Sequence, residues 1–474
     1  MSRGSAALSA LCLLPLVARA ATISVGPGDS YAKIEQAQAG DEVVIAPGVY
    51  TFRVYLTATA PADQPIVIRA EDPSQPPVFD LGSTLVEDAP GSYSGGDRGR
   101  GCWQISGGTH YQISGIVFTH CRNAEANSAG LRYYNGAIGN LVSGCVFRAN
   151  DNGVTGGTED SELTVEFSEF DGNGNPNASN SAPTHNLYIY GGTFILRYSY
   201  LHDPVQGQNF HIRSRNGTLE YNWIARGHSY EGDLMTDDDF AGGTPPYAQS
   251  LLLRGNVILP AAAPDNDSQV IAVYNDAGLP GLSLDLQLVN NTLVGNGGRA
   301  ALVHLSNADG TAMSAELSNN IISGTSVPAL VETAAAATVT GEHNWVAAGV
   351  DPGPLAGSVQ SADPGFRDPS SEDFTLAATS PAIGAAGPAA EGLPDHEYYR
   401  DETLTCMYRL RATARDLGAF ESTTSGAGTG AFSGPAGGPP TGGAPAKGCG
   451  TSGDSAGLAG LAFLLARLAR HRPA

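Results

Sequence analysis

Between residues 184 and 235 the chain concentrates histidine, tyrosine, arginine and aspartate in three short runs. They are Thr184-His185-Asn186-Leu187-Tyr188-Ile189-Tyr190, then Asn209-Phe210-His211-Ile212-Arg213-Ser214-Arg215, then Tyr230-Glu231-Gly232-Asp233-Leu234-Met235. Apolar and polar residues alternate in each, the period of a half-buried strand. If Leu187, Ile189, Ile212 and Leu234 face a core, then Tyr188, Tyr190, His211, Arg213, Arg215 and Asp233 share the opposite face. A one-residue slip would invert that arrangement. Such a face can support elimination next to a carboxylate. Arg213 or Arg215 can neutralise the carboxylate through a bidentate pair, which acidifies the neighbouring C–H. Neither is a base, because arginine keeps its proton. His211 or an ionised Tyr188 is the candidate base, and Tyr188 or Tyr190 the candidate acid. We therefore expect His211, Arg213 and Tyr188 to be catalytic, with Tyr190, Arg215, His185, Asp233 and Tyr230 contacting substrate. The plainer reading makes Arg213, Arg215, Asp233 and Glu231 an ion-pair ladder and the tyrosines a sugar-contact strip.

A second chemistry is available nearby. Asp233 with Asp237 and Asp238 could supply the acid and base of an inverting glycoside hydrolase, although an aspartate run before Phe-Ala-Gly-Gly also suits a solvated loop. Asp171-Gly172-Asn173-Gly174-Asn175 has the look of a calcium loop but lacks the distal glutamate, so a turn is expected and no cofactor or metal is assigned. A phosphate-loop pattern is absent from the sequence.

The elements that must hold these residues show in a repeat. The 474 residues contain 61 Gly and 30 Pro, too many for a helix bundle and too few for a collagen. A phrase of two or three apolar or mixed residues, a small residue or Asn, one variable residue and Ile, Leu, Val or Phe recurs along the chain. Its second positions are Ile116, Cys145, Ser168, Ser199, Asn222, Asn256, Asn291, Asn320 and Asn344. Irregular spacing of a few tens of residues with strand-type alternation marks a solenoid of strands. The repeated Asn suits a ladder of side-chain amides at a corner, each satisfied by the next coil. We expect an all-β fold, a single-stranded right-handed parallel β-helix, with a short capping helix over Tyr31 to Gln38. The net charge of -22 disfavours nucleic acid as a partner.

Several stretches resemble known families. Gly40-Asp41-Glu42-Val43-Val44-Ile45, Pro47-Gly48-Val49-Tyr50 and Pro65-Ile66-Val67-Ile68-Arg69-Ala70 resemble the N-terminal cap and first coils of the chondroitinase B/alginate lyase group, within the pectate-lyase-like superfamily. Arg213-Ser214 before Asn222 resembles that group's basic Lys-Ser before a corner Asn. The chain departs from it in having Arg at 213, Leu at 234 where an arginine is expected, and Gln206 and Gln208 where the acidic calcium ligands would be. The His-Asn-x-Tyr strand, the Ser-Arg strand and Ser229-Tyr230-Glu231-Gly232-Asp233 resemble a family of exported bacterial β-helix proteins, which implies polysaccharide-related activity. Asp363-Pro364-Gly365-Phe366 through Glu421 resembles a closing module of bacterial surface β-helices. Together these imply a polysaccharide lyase acting on an acidic, uronate-containing polysaccharide. The alternatives are the inverting hydrolase and a non-catalytic glycan-binding or adhesive surface protein.

Both ends read as addresses. Arg3, the apolar run Ala6 to Val17 and Ala18-Arg19-Ala20 read as a signal peptide over 1–20. The β-helix domain with its closing module then occupies 21–422 and a Gly/Pro/Ser-rich linker 423–450, which cannot bury enough apolar surface to fold. Residues 451–474, with Cys449 before them and Arg467, Arg470 and Arg472 near the end, resemble a myxobacterial C-terminal sorting signal. That implies export and anchoring at the outer surface membrane, or secretion, and we expect a monomer. Export permits disulfides. Cys102, Cys121, Cys145 and Cys406 allow three pairings, of which Cys102 with Cys121 is expected.

Overall fold

The structure, a computed structural model, describes residues 20–178, 183–236, 247–262, 269–275, 281–295, 301–306, 311–324, 329–333, 337–398, 408–413, 415–422 and 424–427. The expected signal peptide (1–20, of which only Ala20 is described), Asp237, Asp238, Cys406, Cys449 and the segment 451–474 lie outside the described residues. No described helix is long and apolar enough to cross a membrane.

The chain winds as the expected right-handed parallel β-helix. Successive coils add one strand to each of three parallel sheets. The first sheet, which carries the site, runs through Val54–Leu56, Trp103–Ser106, Ala129–Tyr134, Asn152–Gly156 and the first half of Leu187–Arg197. It continues through the first half of Phe210–Glu220, then Gly232–Met235, Gln269–Tyr274 and Ala301–Ser306. Leu187–Arg197 and Phe210–Glu220 run on into the second sheet. The chain turns between the sheets at Gly191, whose φ of +79° an L side chain rarely adopts. A Cβ there would lie 2.4 Å from the Thr158 backbone.

Inward side chains stack coil on coil. In the third sheet Phe79, Phe118, Phe147 and Phe170 form a column with ring centroids 6.1, 5.0 and 4.9 Å apart, which continues through Leu201, Ile224, Ile258, Leu293 and Ile322. Parallel strands buried by neighbouring coils need this like-on-like packing to leave no voids. Two amide ladders close the corners. Asn222, Asn256, Asn291 and Asn320 each donate a side-chain amide to the side-chain oxygen of the next asparagine at 2.9 to 3.0 Å, and the line ends at Asn344, which donates to the Leu317 carbonyl. The line extends backward through Ser199 and Ser168 hydroxyls. A second ladder, Asn150, Asn173, Asn186 and Asn209, ends on Glu231 at 2.8 Å. It sits just before the site strands. Asn173 therefore serves the corner, and Asp171 beside it pairs with Arg148 at 2.7 Å.

The residue that opens each repeat phrase is left-handed: Gly115, Gly144, Phe167, Tyr198, Tyr221, Gly255, Asn290, Asn319 and His343. For a bulky L residue that conformation costs about 1–2 kcal/mol. Phe167, Tyr198 and Tyr221 offset it by stacking at 5.0 and 5.2 Å.

The capping helix is shorter than expected, Ala32–Glu35; Ile34 and Ala37 are buried in the core and Tyr31 packs against it. The segment after Ser361 lies along the flank of the coils. Asp395 accepts from the Tyr221 hydroxyl at 2.9 Å, Asn290 donates to the Asp416 carbonyl, and Asn319 donates to the Gly387 carbonyl. Phe374 and Leu417 pack there with Trp223 and Ile321. Cys102 and Cys121 are joined, with Cα atoms 5.6 Å apart. Cys145 is a buried free thiol.

Candidate functional site

Strand register brings the polar runs into two outward columns of the first sheet. One reads Tyr188, His211, Asp233 on consecutive coils, the other Tyr190, Arg213, Met235. Leu187, Ile189, Ile212 and Leu234 are fully buried inside the coil. The alternation thus places the chosen side chains on one face.

His211 is the centre. Its Nδ1 lies 2.8 Å from Asp233 Oδ1, an ion-pair contact set off the axis of a hydrogen bond. Its Nε2 accepts from Arg213 Nε at 2.9 Å. An accepting Nε2 puts the ring proton of the neutral imidazole on Nδ1, toward Asp233. Asp233 is held in turn: Tyr230 donates its hydroxyl to Oδ2 at 3.0 Å, and Gln208 Nε2 donates to the same oxygen at 3.3 Å. Arg213 also donates from Nη1 to the Thr236 carbonyl at 2.8 Å. The Gln249 amide ties the Arg213 and Met235 carbonyls, locking the two strands. Tyr188 meets the imidazole edge-on, 4.7 Å between centroids, and Tyr190 lies 5.9 Å beyond it.

Two expected substrate contacts are corrected by burial: Asp233 is fully buried and His185 is 2% exposed, against 7% for His211. Tyr230 matches His211 in exposure and serves it through its hydrogen bond to Asp233. Asp233 therefore cannot present a carboxylate to a glycosidic oxygen, which removes it from the hydrolase reading; Asp237 and Asp238 lie outside the described residues. Arg215 stays half-buried on the face but pairs with Glu159 at 2.8 Å, an exposed contact of small worth that a ligand can exchange. Gln206 and Gln208, standing where acidic calcium ligands were looked for, are amide clamps: Gln206 holds Thr184 and Ala178, Gln208 holds Asp233. Sequence reasoning missed Gln208 and Gln249 as supports, since nothing in their spacing marks which carboxylate or carbonyl they will meet.

His185 stacks on His211 at 4.8 Å, nearly parallel, and its Nδ1 accepts from the Gln208 backbone N–H. Burial, then the charges of His211 and Arg213, hold its pKa well below the usual 6.5. The unfolded chain takes a proton near pH 6.5 that the folded chain refuses, so folding stability falls as pH drops below 6.5. We expect the melting temperature of the wild type to fall in that window and His185→Gln to flatten the fall. An unaltered slope in the variant would refute the assignment. His202 in the third sheet is opposite in sign. Burial alone would lower its pKa, but the hydrogen bonds that its ring donates to Asp203 and Glu169 outweigh it and raise the value. Its contribution is present below 6.5 and lost as pH rises through the elevated pKa.

His202, Glu169 and Asp171 are the one group among the described residues that brings three ligand-type atoms within 4.8 Å. Arg148 and Arg226 already pair with Asp171 and Asp203 there.

No family model matches the chain, and no curated protein matches it. Solved structures do. An alginate lyase from Paenibacillus sp. str. FPU-7 is 15% identical with a TM-score of 0.48, covering 67% of this chain and 99% of that one. Pectate lyase Pel9A is 14% identical with a TM-score of 0.46, covering 85% and 96%. A GH136 lacto-N-biosidase from Eubacterium ramulus is 12% identical with a TM-score of 0.41, covering 68% and 67%.

Proposed function

We propose that this protein is a polysaccharide lyase that cleaves a uronate-containing chain by β-elimination. The observation that carries the reading is an imidazole backed by a buried carboxylate and flanked on the same face by an arginine and a tyrosine. Arg213 pairs with the uronate carboxylate and makes the adjacent C–H acidic. As the guanidinium turns to the substrate it releases His211 Nε2, whose lone pair takes that proton. The C–H electrons form the new C=C, and the bond to the glycosidic oxygen breaks. Tyr188 gives its hydroxyl proton to that oxygen. The products are an unsaturated uronate end and a new hydroxyl end. Asp233 holds Nδ1–H and stabilises the imidazolium that forms, while Tyr190 and Arg215 line the approach. On sequence grounds we place the protein outside the cytoplasm, exported by residues 1–20 and held at the cell surface by 451–474.

Incubation with alginate, pectate and glycosaminoglycans tests this. New ultraviolet absorbance from an unsaturated sugar is the expected result. Reducing ends without absorbance would replace the lyase with a hydrolase, and retention without cleavage would leave a binding protein.

A further inference from the structure

The column that holds Tyr188 and His211 does not begin there. On preceding coils the same outward position is occupied by Tyr55, Gln104, Arg132 and Thr155. Four polar atoms in this stretch are buried without a hydrogen-bond partner: Gln104 Oε1, Arg132 Nε and Nη1, and Thr155 Oγ1. Arg132 is 8% exposed and Thr155 1%. An unsatisfied buried group is costly, more so when it is charged, and a ligand that partners it recovers that cost. The Arg132 guanidinium lies 4.1 Å above the Tyr134 ring, which fixes its plane.

A strap covers this stretch. Residues 90 to 100 cross the face of the first sheet, anchored by Arg53, which donates to the Ala89, Tyr93 and Arg98 carbonyls. Tyr93 stacks on Tyr55 at 4.5 Å. Asp97 of the strap, itself half exposed, places a carboxylate oxygen 3.2 Å from Arg132 Nη1. The only anion that Arg132 meets among the described residues thus comes from a surface segment held by backbone contacts, and it leaves Nε unused.

We infer that Arg132, held over Tyr134, is a carboxylate-reading subsite for an acidic sugar remote from the reacting one, occupied in the free protein by Asp97. The inference rests on the lyase reading for its substrate class. At the strand spacing of about 4.8 Å, Arg132 lies roughly 10 Å from Tyr188 and 14 Å from His211 along the axis. A pyranose unit is about as long as one coil is thick, so an extended chain reacting at His211 sets a later carboxylate over Arg132. The strap carboxylate is displaced as that sugar enters, and Arg132 exchanges one anion for another held by a bidentate pair.

The test uses the full chain and uronate oligosaccharides from tri- to octasaccharide. Arg132→Met keeps the apolar stem over Tyr134 and removes the charge. Its loss in kcat/KM is expected to be about tenfold larger on the octasaccharide than on the trisaccharide. Asp97→Asn, at the exposed strap, is expected to tighten octasaccharide binding several-fold, which keeps the proposal testable should Arg132→Met fail to fold. Equal losses at every length, or unaltered octasaccharide binding in Asp97→Asn, would overturn it. Equilibrium binding of the octasaccharide to His211→Ala separates the two readings. Arg132-dependent binding by a chain whose wild type shows no cleavage supports the subsite and refutes the lyase, whereas cleavage without length dependence refutes the subsite alone.

Discussion

His211→Ala is expected to lower kcat on the uronate polymer by about a thousandfold, with KM changed by less than about threefold. In the proposed mechanism the ring is the base, with Nδ1 against Asp233 and Nε2 turned to the face that Arg213 and Tyr188 share. On that reading its removal takes away proton abstraction and leaves in place the arginine proposed to bind the carboxylate, so the loss falls on kcat. Asp233→Asn probes the same centre from behind. The amide keeps the shape but cannot stabilise the imidazolium, and it can present N–H to Nδ1, which would move the ring proton to Nε2 and remove the base. A fall in kcat of about a hundredfold or more is expected. Tyr230→Phe, which strips one donor from Asp233 Oδ2, should give a smaller loss. A purely structural His211 would show the reverse: a lowered melting temperature with turnover retained. Unsaturated product formed at the wild-type rate by His211→Ala and Asp233→Asn would end the proposed mechanism.

Asn256→Ala is expected to be the most damaging small substitution for stability, at about 3–5 kcal/mol. Its side chain lies at zero exposure and donates to the Leu219 carbonyl and to Asn291 Oδ1, while its own oxygen accepts from the Asn222 backbone N–H and side-chain amide. Alanine leaves those partners buried with no route to water. Because a solenoid's coils contact only their neighbours, the damage should be local. Amide exchange is expected to quicken at Asn222, Asn291 and the strands beside them, with the Phe79 to Phe170 column protected as before. Urea unfolding measures the loss. A drop below about 1 kcal/mol would mean that the ladder is decoration on a coil that apolar stacking already holds.

Much of this architecture was legible beforehand, and the reason is periodicity. Each coil repeats the demands of the last, so the phrase at Gly255-Asn256-Val257-Ile258 states a left-handed corner, a ladder amide, an outward position and an inward side chain, and the structure places them so. The alternation in Leu187-Tyr188-Ile189-Tyr190 likewise states which side chains share a face. The second ladder was less visible because its members, Asn150, Asn173, Asn186 and Asn209, lie in loops of unequal length and end in a glutamate. The flanking path of the segment after Ser361 was likewise hidden, since contacts such as Tyr221 with Asp395 join residues far apart in the chain.

Sequence alone therefore determined the winding, the inner and outer sets of side chains, and the gathering of His211, Arg213 and Tyr188 on one side, because all three follow from a local two-residue period repeated along the chain. Depth and partnership belonged to the tertiary structure. Only the folded coils decided that Asp233 and His185 are buried more deeply than the imidazole, that Tyr230 is spent on Asp233, that Arg215 is shared with Glu159, and that a strap carboxylate rests on Arg132. Burial of an outward residue depends on which loop crosses over it, and no spacing in the chain encodes that crossing.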